Sequence, residues 1–387
     1  MTQMIEKSMI ESIVRGYRGA PVVGVLGSHS ALDVLDGASQ EELHSVVVVQ
    51  KGRDAAFTRY FRKTKDDSGS ILRGVVEDTM SLSKFSDIMN AENREKLRRK
   101  NVVFVPNRSF SSYCHLDDIE NVFDVPIFGS RAMLRSEERE EKENYYTMLE
   151  KGGLPYPEQV KDPADIDSLV IVKLHHKVKK LERGFFTAAS SEEYSRKSKE
   201  LIRGNVISEE DLSKARIEKY IIGPVFNLDF FYSPLEEKGE RVELLGVDWR
   251  FESSLDGHVR LPADQQLALS GDQKVPEYTV VGHNSSTLRE SLLDNAFALA
   301  EKYVKIAAEM RPPGIIGPFT LQTCVDKDMH FHIYDVAPRI GGGTNVHAFV
   351  GHPYGNMLYG CNMSTGRRIA REIKRAASEG RLDEIVT

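Results

Sequence analysis

Cysteine is scarce: the 387 residues contain three, Cys114, Cys324 and Cys361. None falls in a CxxC or zinc-like spacing, so no disulfide framework or thiolate metal site is expected, and the thiols read as buried fillers in a reducing cytoplasm. No apolar run approaches the roughly 20 residues needed to cross a bilayer. The opening MTQMIEKSMIESIVRGY has amphipathic helical spacing and lacks the apolar centre and cleavage site of a signal peptide. Excess positive charge is missing too: the net charge of -6 argues against a general nucleic-acid binder. There is no internal repeat and no low-complexity segment. What remains, 40% hydrophobic and 28% charged, is an ordinary globular composition with enough chain for two or three domains.

Short apolar runs alternate with helical segments over residues 5–130. Val22–Leu26, Ser45–Val49 and Val102–Val105 each read as a buried strand followed by a polar turn, which predicts a parallel sheet. Ligands of such sheets sit beyond the carboxyl ends of the strands. The turns Gly27–Ser30, Lys51–Asp54 and Asn107–Ser111 are therefore the first binding-site candidate. RSEEREEKENYYTMLEKGG then reads as a charged helix with a solvated face. From residue 163 the order is strand, basic loop, strand, two helices and strand. A hairpin turning at Glu237–Glu240, a long helix over Thr287–Met310, a second hairpin over Asp326–Asp328, a glycine-rich loop (IGGGTN) and a basic helix at Thr365–Ser378 follow. That last helix reads as a surface or subunit-contact element.

The stretch VIVKLHHKVKKLERGFF places Lys173 on a strand ahead of a loop rich in cationic side chains, the kind of loop that holds an anion. Downstream, ARIEKYIIG carries an acid on an apolar strand that becomes a linker, and the second hairpin carries Gln322 and Asp335 ahead of Arg339. This order suits a nucleotide between two antiparallel sheets. Lys173 would neutralise phosphate charge, main-chain groups at Glu218–Ile221 would pair with the adenine edge, and oxygen ligands on neighbouring strands would hold Mg²⁺.

With these residues in place, the chain resembles the archaeal ATP-grasp ligases that formylate the ribonucleotide AICAR, the FAICAR synthetase family. LGSHSAL, KGRD, RSFSSYC, VPIFGSR, DWRFESSLDGHVRLPA, PPGIIGPFTLQ, GGGTN and GRRIAREIK stand in the family's order over nearly the whole length. The resemblance implies an α/β and α+β fold. An N-terminal parallel-sheet domain (1–130) contributes to the ribonucleotide site, and an ATP-grasp region (131–387) contains a lid part at about 165–235 and a metal-binding and C-terminal part at 236–387. It implies a cytoplasmic homo-oligomer, expected to be a hexamer, acting in purine synthesis on ATP, formate and an AICAR-like ribonucleotide, with no nucleic-acid or membrane partner. The cofactors are ATP and Mg²⁺ or Mn²⁺.

By the same resemblance, His29, Ser30, Ser109 and Ser254 (an asparagine in the family) belong to the ribonucleotide site, with Lys51, Arg53 and Asn345 as further contacts. Lys173, His175, Lys177, Glu218, Lys219, Tyr220 and Ile221 match the nucleotide-binding strands, lid and linker. Gln322 and Asp335 match the metal ligands, and Arg339 the group that stabilises transferring phosphoryl charge. The chain departs from the family at Ser254, at the second metal ligand, where the family has a glutamate, and in three further places. Cationic side chains at His175–Lys180 replace lid glycines, Pro106–Arg108 replaces a small histidine-containing turn, and Ala337 stands where an oxygen ligand is common. These departures motivate two alternatives: a paralogue joining another acid to another amine, and a nucleotide-binding homologue without turnover. Of the remaining histidines, His330 and His332 fit an exposed strand face, His347 and His352 read as loop bystanders, and His115 as structural.

Overall fold

The computed structural model describes residues 5–174, 185–270, 273 and 279–387. Fifteen strands occur among them. The first six are Val22–Leu26 (β1), Ser45–Gln50 (β2), Thr64–Lys65 (β3), Ile71–Arg73 (β4), Asp78–Leu82 (β5) and Val102–Val105 (β6). Four form an all-parallel sheet in the order β5-β2-β1-β6, while β3 and β4 pair as a separate exposed ribbon. The three apolar runs form the buried strands, as their composition requires. DTMSL, which is β5, carries no such run because it is a partly exposed edge strand.

Alternation assigns the two faces of this sheet. Val23, Val25 and Val47 point into one apolar cluster, whereas Val46, Val48, Val102 and Phe104 point into another that holds Phe85, Phe110 and Phe123. The first cluster is closed by the helix Ala31–Gln40 and, unexpectedly, by the C-terminal helix Thr365–Ser378, whose Ile369, Ala370, Ile373 and Ala376 are buried there. The basic helix is thus an internal element, because its cations have internal partners. Arg368 Nη2 lies 2.7 Å from Glu243 and its Nη1 2.7 Å from Glu372, and Arg367 Nε lies 2.7 Å from Glu41. The two helices touch at glycine: a Cβ on Gly366 would stand 2.0 Å from the Asp33 carbonyl oxygen.

The remaining strands are Gln159–Val160 (β7), Val170–Lys173 (β8), Phe185–Ala188 (β9), Arg216–Lys219 (β10), Val225–Tyr232 (β11), Val242–Glu252 (β12), Val280–Ser286 (β13), Gly317–Val325 (β14) and Phe331–Ala337 (β15). They form two antiparallel sheets, β7-β10-β8-β9 and β13-β12-β11-β14-β15. Tyr220–Pro224 is the linker between them. In the five-stranded sheet, Leu228, Phe230, Val247, Phe319, Leu321, Ile333 and Val336 share a cluster with Ala296, Leu299, Ala300 and Tyr303 of the helix Leu293–Met310. One face is therefore oily and covered, so the alternate residues are forced onto the other.

The charged segment after residue 131 is not the single solvated helix its charges predict. It breaks into Arg131–Leu134, a 3-10 turn at Arg135–Glu137 and a helix at Tyr145–Lys151. Distant partners draw its side chains away from i, i+4 pairing. Arg135 binds Glu120 at 2.8 Å and Asp117 at 2.5 Å, and Glu137 binds Arg339 at 2.5 Å.

Candidate active site

The uncovered face of the five-stranded sheet is polar, and its side chains line up in register. Asp335 lies opposite Gln322, Gln322 opposite Asn227, and Asn227 opposite Asp248. One strand pair further on, His283 stands opposite Arg250, and Thr320 is across from Asp229. Strands such as FNLDFFY and GVDWRFE alternate because one face packs against a helix and the other carries this row. Asn227, Asp229, Asp248, Arg250 and His283 were absent from the candidates read off the sequence. Their signal was present as polar residues at alternate positions of otherwise apolar strands.

Hydrogen bonds tie the row together. Asn227 Nδ2 donates to Asp248 Oδ1 at 2.8 Å, His283 Nδ1 lies 2.7 Å from the same oxygen, and Thr320 Oγ1 donates to Asp229 Oδ1 at 2.8 Å. Arg250 donates to Gln322 Oε1 and, at 3.3 Å, to Asn227 Oδ1. Asp229 and Asp248 are buried in contact with each other. Burial and the neighbouring Asp248 charge push the Asp229 carboxyl well up. Burial also opposes ionisation of Asp248, but His283 and Asn227 outweigh it and leave that carboxyl below its usual value. The proton affinity of the pair is thus weighted toward Asp229 and its negative charge toward Asp248.

The glycine-rich loop lies directly on these carboxylates. A Cβ on Gly343 would fall 2.5 Å from Asp248 Oδ2, and one on Gly341 would fall 2.8 Å from Thr320 Oγ1. The loop also meets the turn after β1. Ser30 Oγ donates to the Gly341 carbonyl, the Asp33 amide donates to Asn345 Oδ1 at 3.1 Å, and a Cβ on Gly342 would be 3.5 Å from His29 Nδ1. Asn107 fastens the turn from below, its Nδ2 donating to the carbonyls of Leu26 (2.9 Å) and His29 (3.0 Å). Ser109 is buried in the short helix that Asn107 caps. His29, Ser30, Ser109 and Asn345 thus gather at the carboxyl ends of β1 and β6, beside the polar sheet face.

Lys173 approaches from the other sheet. Its Nζ lies 2.6 Å from Glu218 Oε2 and donates to the Tyr146 hydroxyl (2.8 Å) and the Tyr334 carbonyl (3.2 Å), next to Asp335. Burial pulls the Lys173 ammonium below its usual value against the attraction of Glu218. Burial works against Glu218 ionising, but Lys173 and Arg216, whose Nε is 2.6 Å from Glu218 Oε1, outweigh it and keep that carboxyl low. Arg339 is buried, bound to Glu137 and to the Ile340 carbonyl at 2.7 Å. Glu137 also faces Arg108, and Arg108 and Arg139 both feel the Asp335 charge.

The other candidates lie on the turn after β2, on the helix Ser253–His258, and at the end of β10 and on the linker after it. Lys51 and Arg53 are exposed on the turn after β2, where Arg53 Nη1 donates to the Tyr113 hydroxyl at 2.9 Å. Ser254 is the second residue of the helix Ser253–His258, and its carbonyl lies 2.6 Å from His258 Nδ1. Lys219 Nζ lies 2.9 Å from Glu158, and the Lys219 and Tyr220 amides donate to the carbonyls of Glu158 and Leu169. The Ile221 carbonyl faces the Cys324 thiol at 3.6 Å. His175, Lys177 and the rest of the basic loop lie outside the described residues. The paired loop histidines are buried rather than peripheral, with ring centroids 3.8 Å apart. Among the described residues no three His, Cys, Asp or Glu side chains gather as a metal site, and no helix is long and apolar enough to cross a membrane.

Two family models match the chain: a domain of unknown function (DUF1297) over residues 193–387 and a protein of unknown function (DUF1246) over residues 23–160. The 5-formaminoimidazole-4-carboxamide-1-(beta)-D-ribofuranosyl 5'-monophosphate synthetase of Methanocaldococcus jannaschii is 38% identical over 99% of this chain and 100% of its own. Its namesake from Methanothermobacter thermautotrophicus is 38% identical over 99% of both chains. Among solved structures, an IMP biosynthesis protein PurP from Thermococcus kodakaraensis superposes with a TM-score of 0.69 at 30% identity, over 94% of this chain and 100% of that one. A carboxyaminoimidazole ribonucleotide synthase from Aspergillus clavatus, solved with ATP, matches at TM-score 0.53 and 15% identity over 92% and 77% of the two chains, a likeness of fold. The parallel sheet followed by two antiparallel sheets is the ATP-grasp arrangement.

Proposed function

Because the chain belongs to the 5-formaminoimidazole-4-carboxamide-1-(beta)-D-ribofuranosyl 5'-monophosphate synthetase family, we propose that it is the ATP-dependent carbon–nitrogen ligase that formylates AICAR in purine synthesis. Formate attacks the γ-phosphorus of ATP, giving formyl phosphate and ADP. The ribonucleotide amine then attacks the formyl carbon and phosphate leaves. The observation that carries this reading is Lys173 reaching from one antiparallel sheet to the Tyr334 carbonyl of the other, beside Asp335. That arrangement puts fixed positive charge opposite an oxygen-rich strand pair, where a triphosphate would lie.

Each residue has a task within this proposal. Lys173 exchanges Glu218 for phosphate oxygen, and the linker at Glu218–Ile221 borders the base. Arg339, already aligned by Glu137, faces the transferring phosphoryl group, where preorganised charge lowers the barrier without reorganising at the moment of reaction. His29, Ser30, Ser109 and Asn345 hold the ribonucleotide at the ends of β1 and β6. Residues 1–130 contribute to the ribonucleotide site, and the ATP-grasp region 131–387 holds the nucleotide and completes that site. Lys51, Arg53 and Ser254 are further contacts for the ribonucleotide.

The donor set also suits Mg²⁺ or Mn²⁺. Asp335 and Gln322 are cross-strand neighbours offering one carboxylate and one amide oxygen, and Mg²⁺ commonly takes few protein ligands, completing its shell with phosphate and water. Arg108 and Arg139 beside Asp335 disfavour a bare dication but favour one carried on a triphosphate, whose net charge is negative. When bound there, the ion would polarise the γ-phosphoryl oxygens. Gln322 would have to exchange its Arg250 contact.

A coupled ADP assay tests the function. ADP release that depends on formate and is stimulated by AICAR is expected. Release only with a different acid or amine would identify a paralogue, and nucleotide binding without release on a broad panel would identify a homologue without turnover.

A further inference from the structure

His283 has no part in the roles assigned so far, yet its surroundings are those of a proton acceptor. Its Nδ1 is fixed 2.7 Å from Asp248 Oδ1. The other ring nitrogen, Nε2, is turned toward the glycine loop, where a Cβ on Gly342 would stand 3.9 Å from it and 3.5 Å from His29 Nδ1. The imidazole and the ribonucleotide-side histidine therefore flank the same side-chain-free residue. The His283 side chain is 16% exposed and Asp248 1%, so the base would be reachable while its carboxylate is shielded. Asp229 lies beside Asp248, and burial pushes its carboxyl up, so the negative charge of the pair is weighted toward the carboxylate that His283 touches.

We infer that His283, oriented by Asp248, takes the proton from the ribonucleotide amine as that amine attacks formyl phosphate. The inference rests on the function proposed above and adds a catalytic residue to it. An amine conjugated to an imidazole carboxamide is a poor nucleophile, and the positive charge that develops on its nitrogen must be removed. In the step, the nitrogen lone pair forms the N–C bond to the formyl carbon. One N–H proton passes to His283 Nε2, the C–O bond to phosphate breaks, and phosphate leaves with the bonding pair. The imidazolium, paired with Asp248, then returns its proton to the departing phosphate or to water. Asp248 is a positioning residue: its oxygen at Nδ1 selects the tautomer whose Nε2 can accept.

The test separates the two half-reactions. Formate-dependent formyl phosphate is trapped as the hydroxamate by hydroxylamine, and formyl transfer is followed with AICAR. His283→Ala is expected to slow transfer by about 10²–10⁴-fold, to lower the trapped hydroxamate by less than about tenfold, and to regain part of the transfer rate with added imidazole. Asp248→Asn is expected to lower kcat for transfer with little change in KM for AICAR. His283→Ala should lose the acid limb of the wild-type pH profile for transfer, whereas Asp248→Asn, which keeps the imidazole without its paired carboxylate, should move that limb to lower pH. The charged or titratable groups facing His283 are Asp248 and Arg250 on β12, Asp229 behind Asp248 on β11, and His29 across Gly342. A profile unchanged in His283→Ala would assign the limb to one of these and overturn the inference. Transfer within about threefold of wild type, or equal loss of both half-reactions without imidazole rescue, would overturn it too. Wild-type protein that yields no formate-dependent hydroxamate would instead overturn the proposed function, and this step with it.

Discussion

Lys173 is buried with its charge satisfied by Glu218, Tyr146 and a carbonyl, so removing it has two separable consequences. Glu218 retains Arg216, and the fold should survive. A triphosphate, however, would lose its nearest fixed cation. Lys173→Ala is expected to lower turnover by about 10²–10³-fold, the range for deleting one preorganised electrostatic partner, with an unchanged circular dichroism spectrum. Asp335→Ala should lower turnover comparably and weaken the dependence on Mg²⁺. Near-wild-type rates in both variants would remove these residues from the site. Asp33 gives a pH prediction at the same scale. Burial raises its carboxyl to about 6 from 3.8, so the folded state binds its proton more tightly than the unfolded chain does. Its contribution to stability is therefore greatest below pH 4 and declines as pH rises to 6, by up to about 3 kcal/mol for a shift of this size. Chemical denaturation at pH 4 and pH 7 should show a smaller difference for Asp33→Asn than for wild type; an equal difference would contradict the assignment.

Elements explain which parts of this protein were legible in its sequence. Val22–Leu26, Ser45–Gln50 and Val102–Val105 were readable because strands buried on both faces must be apolar throughout. The edge strand Asp78–Leu82 was not, since half-exposure leaves it without a pattern. Both hairpins and the glycine loop were visible from alternation and turn chemistry. The nearness of Asn227, Asp248 and His283 was hidden, because cross-strand register follows from pairing and not from spacing along the chain. The same limit misled the reading of the charged segment after residue 131, where i, i+4 pairs were inferred and long-range partners prevail, and of the basic C-terminal helix, read as a surface or subunit-contact element although Glu243 and Glu41 from distant segments pair with its arginines. The glycine loop supplies the test at this scale. Gly343→Ala would drive a methyl to 2.5 Å from Asp248, so a cost of about 1–3 kcal/mol and a large fall in turnover are expected. A variant with wild-type melting temperature and activity would show that the loop does not rest on the carboxylates.

At the scale of the whole molecule, the C-terminal helix joins the parallel sheet to the five-stranded sheet. It buries its apolar side against the helix Ala31–Gln40 and its Arg368 between Glu243 and Glu372. Arg368→Ala would leave two buried acids without their cation, and a loss of about 3–5 kcal/mol is expected by denaturant titration; a loss below about 1 kcal/mol would mean that the junction is held by apolar packing alone. This helix helps set how the turn carrying His29 meets the loop carrying Asn345, so the ribonucleotide side of the proposed site depends on an element more than 300 residues away in sequence. The most direct measurement of the central claim is a crystal structure with a non-hydrolysable ATP analogue, Mg²⁺ and AICAR. It should show the triphosphate between Lys173 and Asp335, the ion on Gln322 and Asp335 with the Arg250 contact released, and the ribonucleotide beside His29 and Asn345. Nucleotide bound elsewhere, with Gln322 and Asp335 facing no ion, would contradict the account.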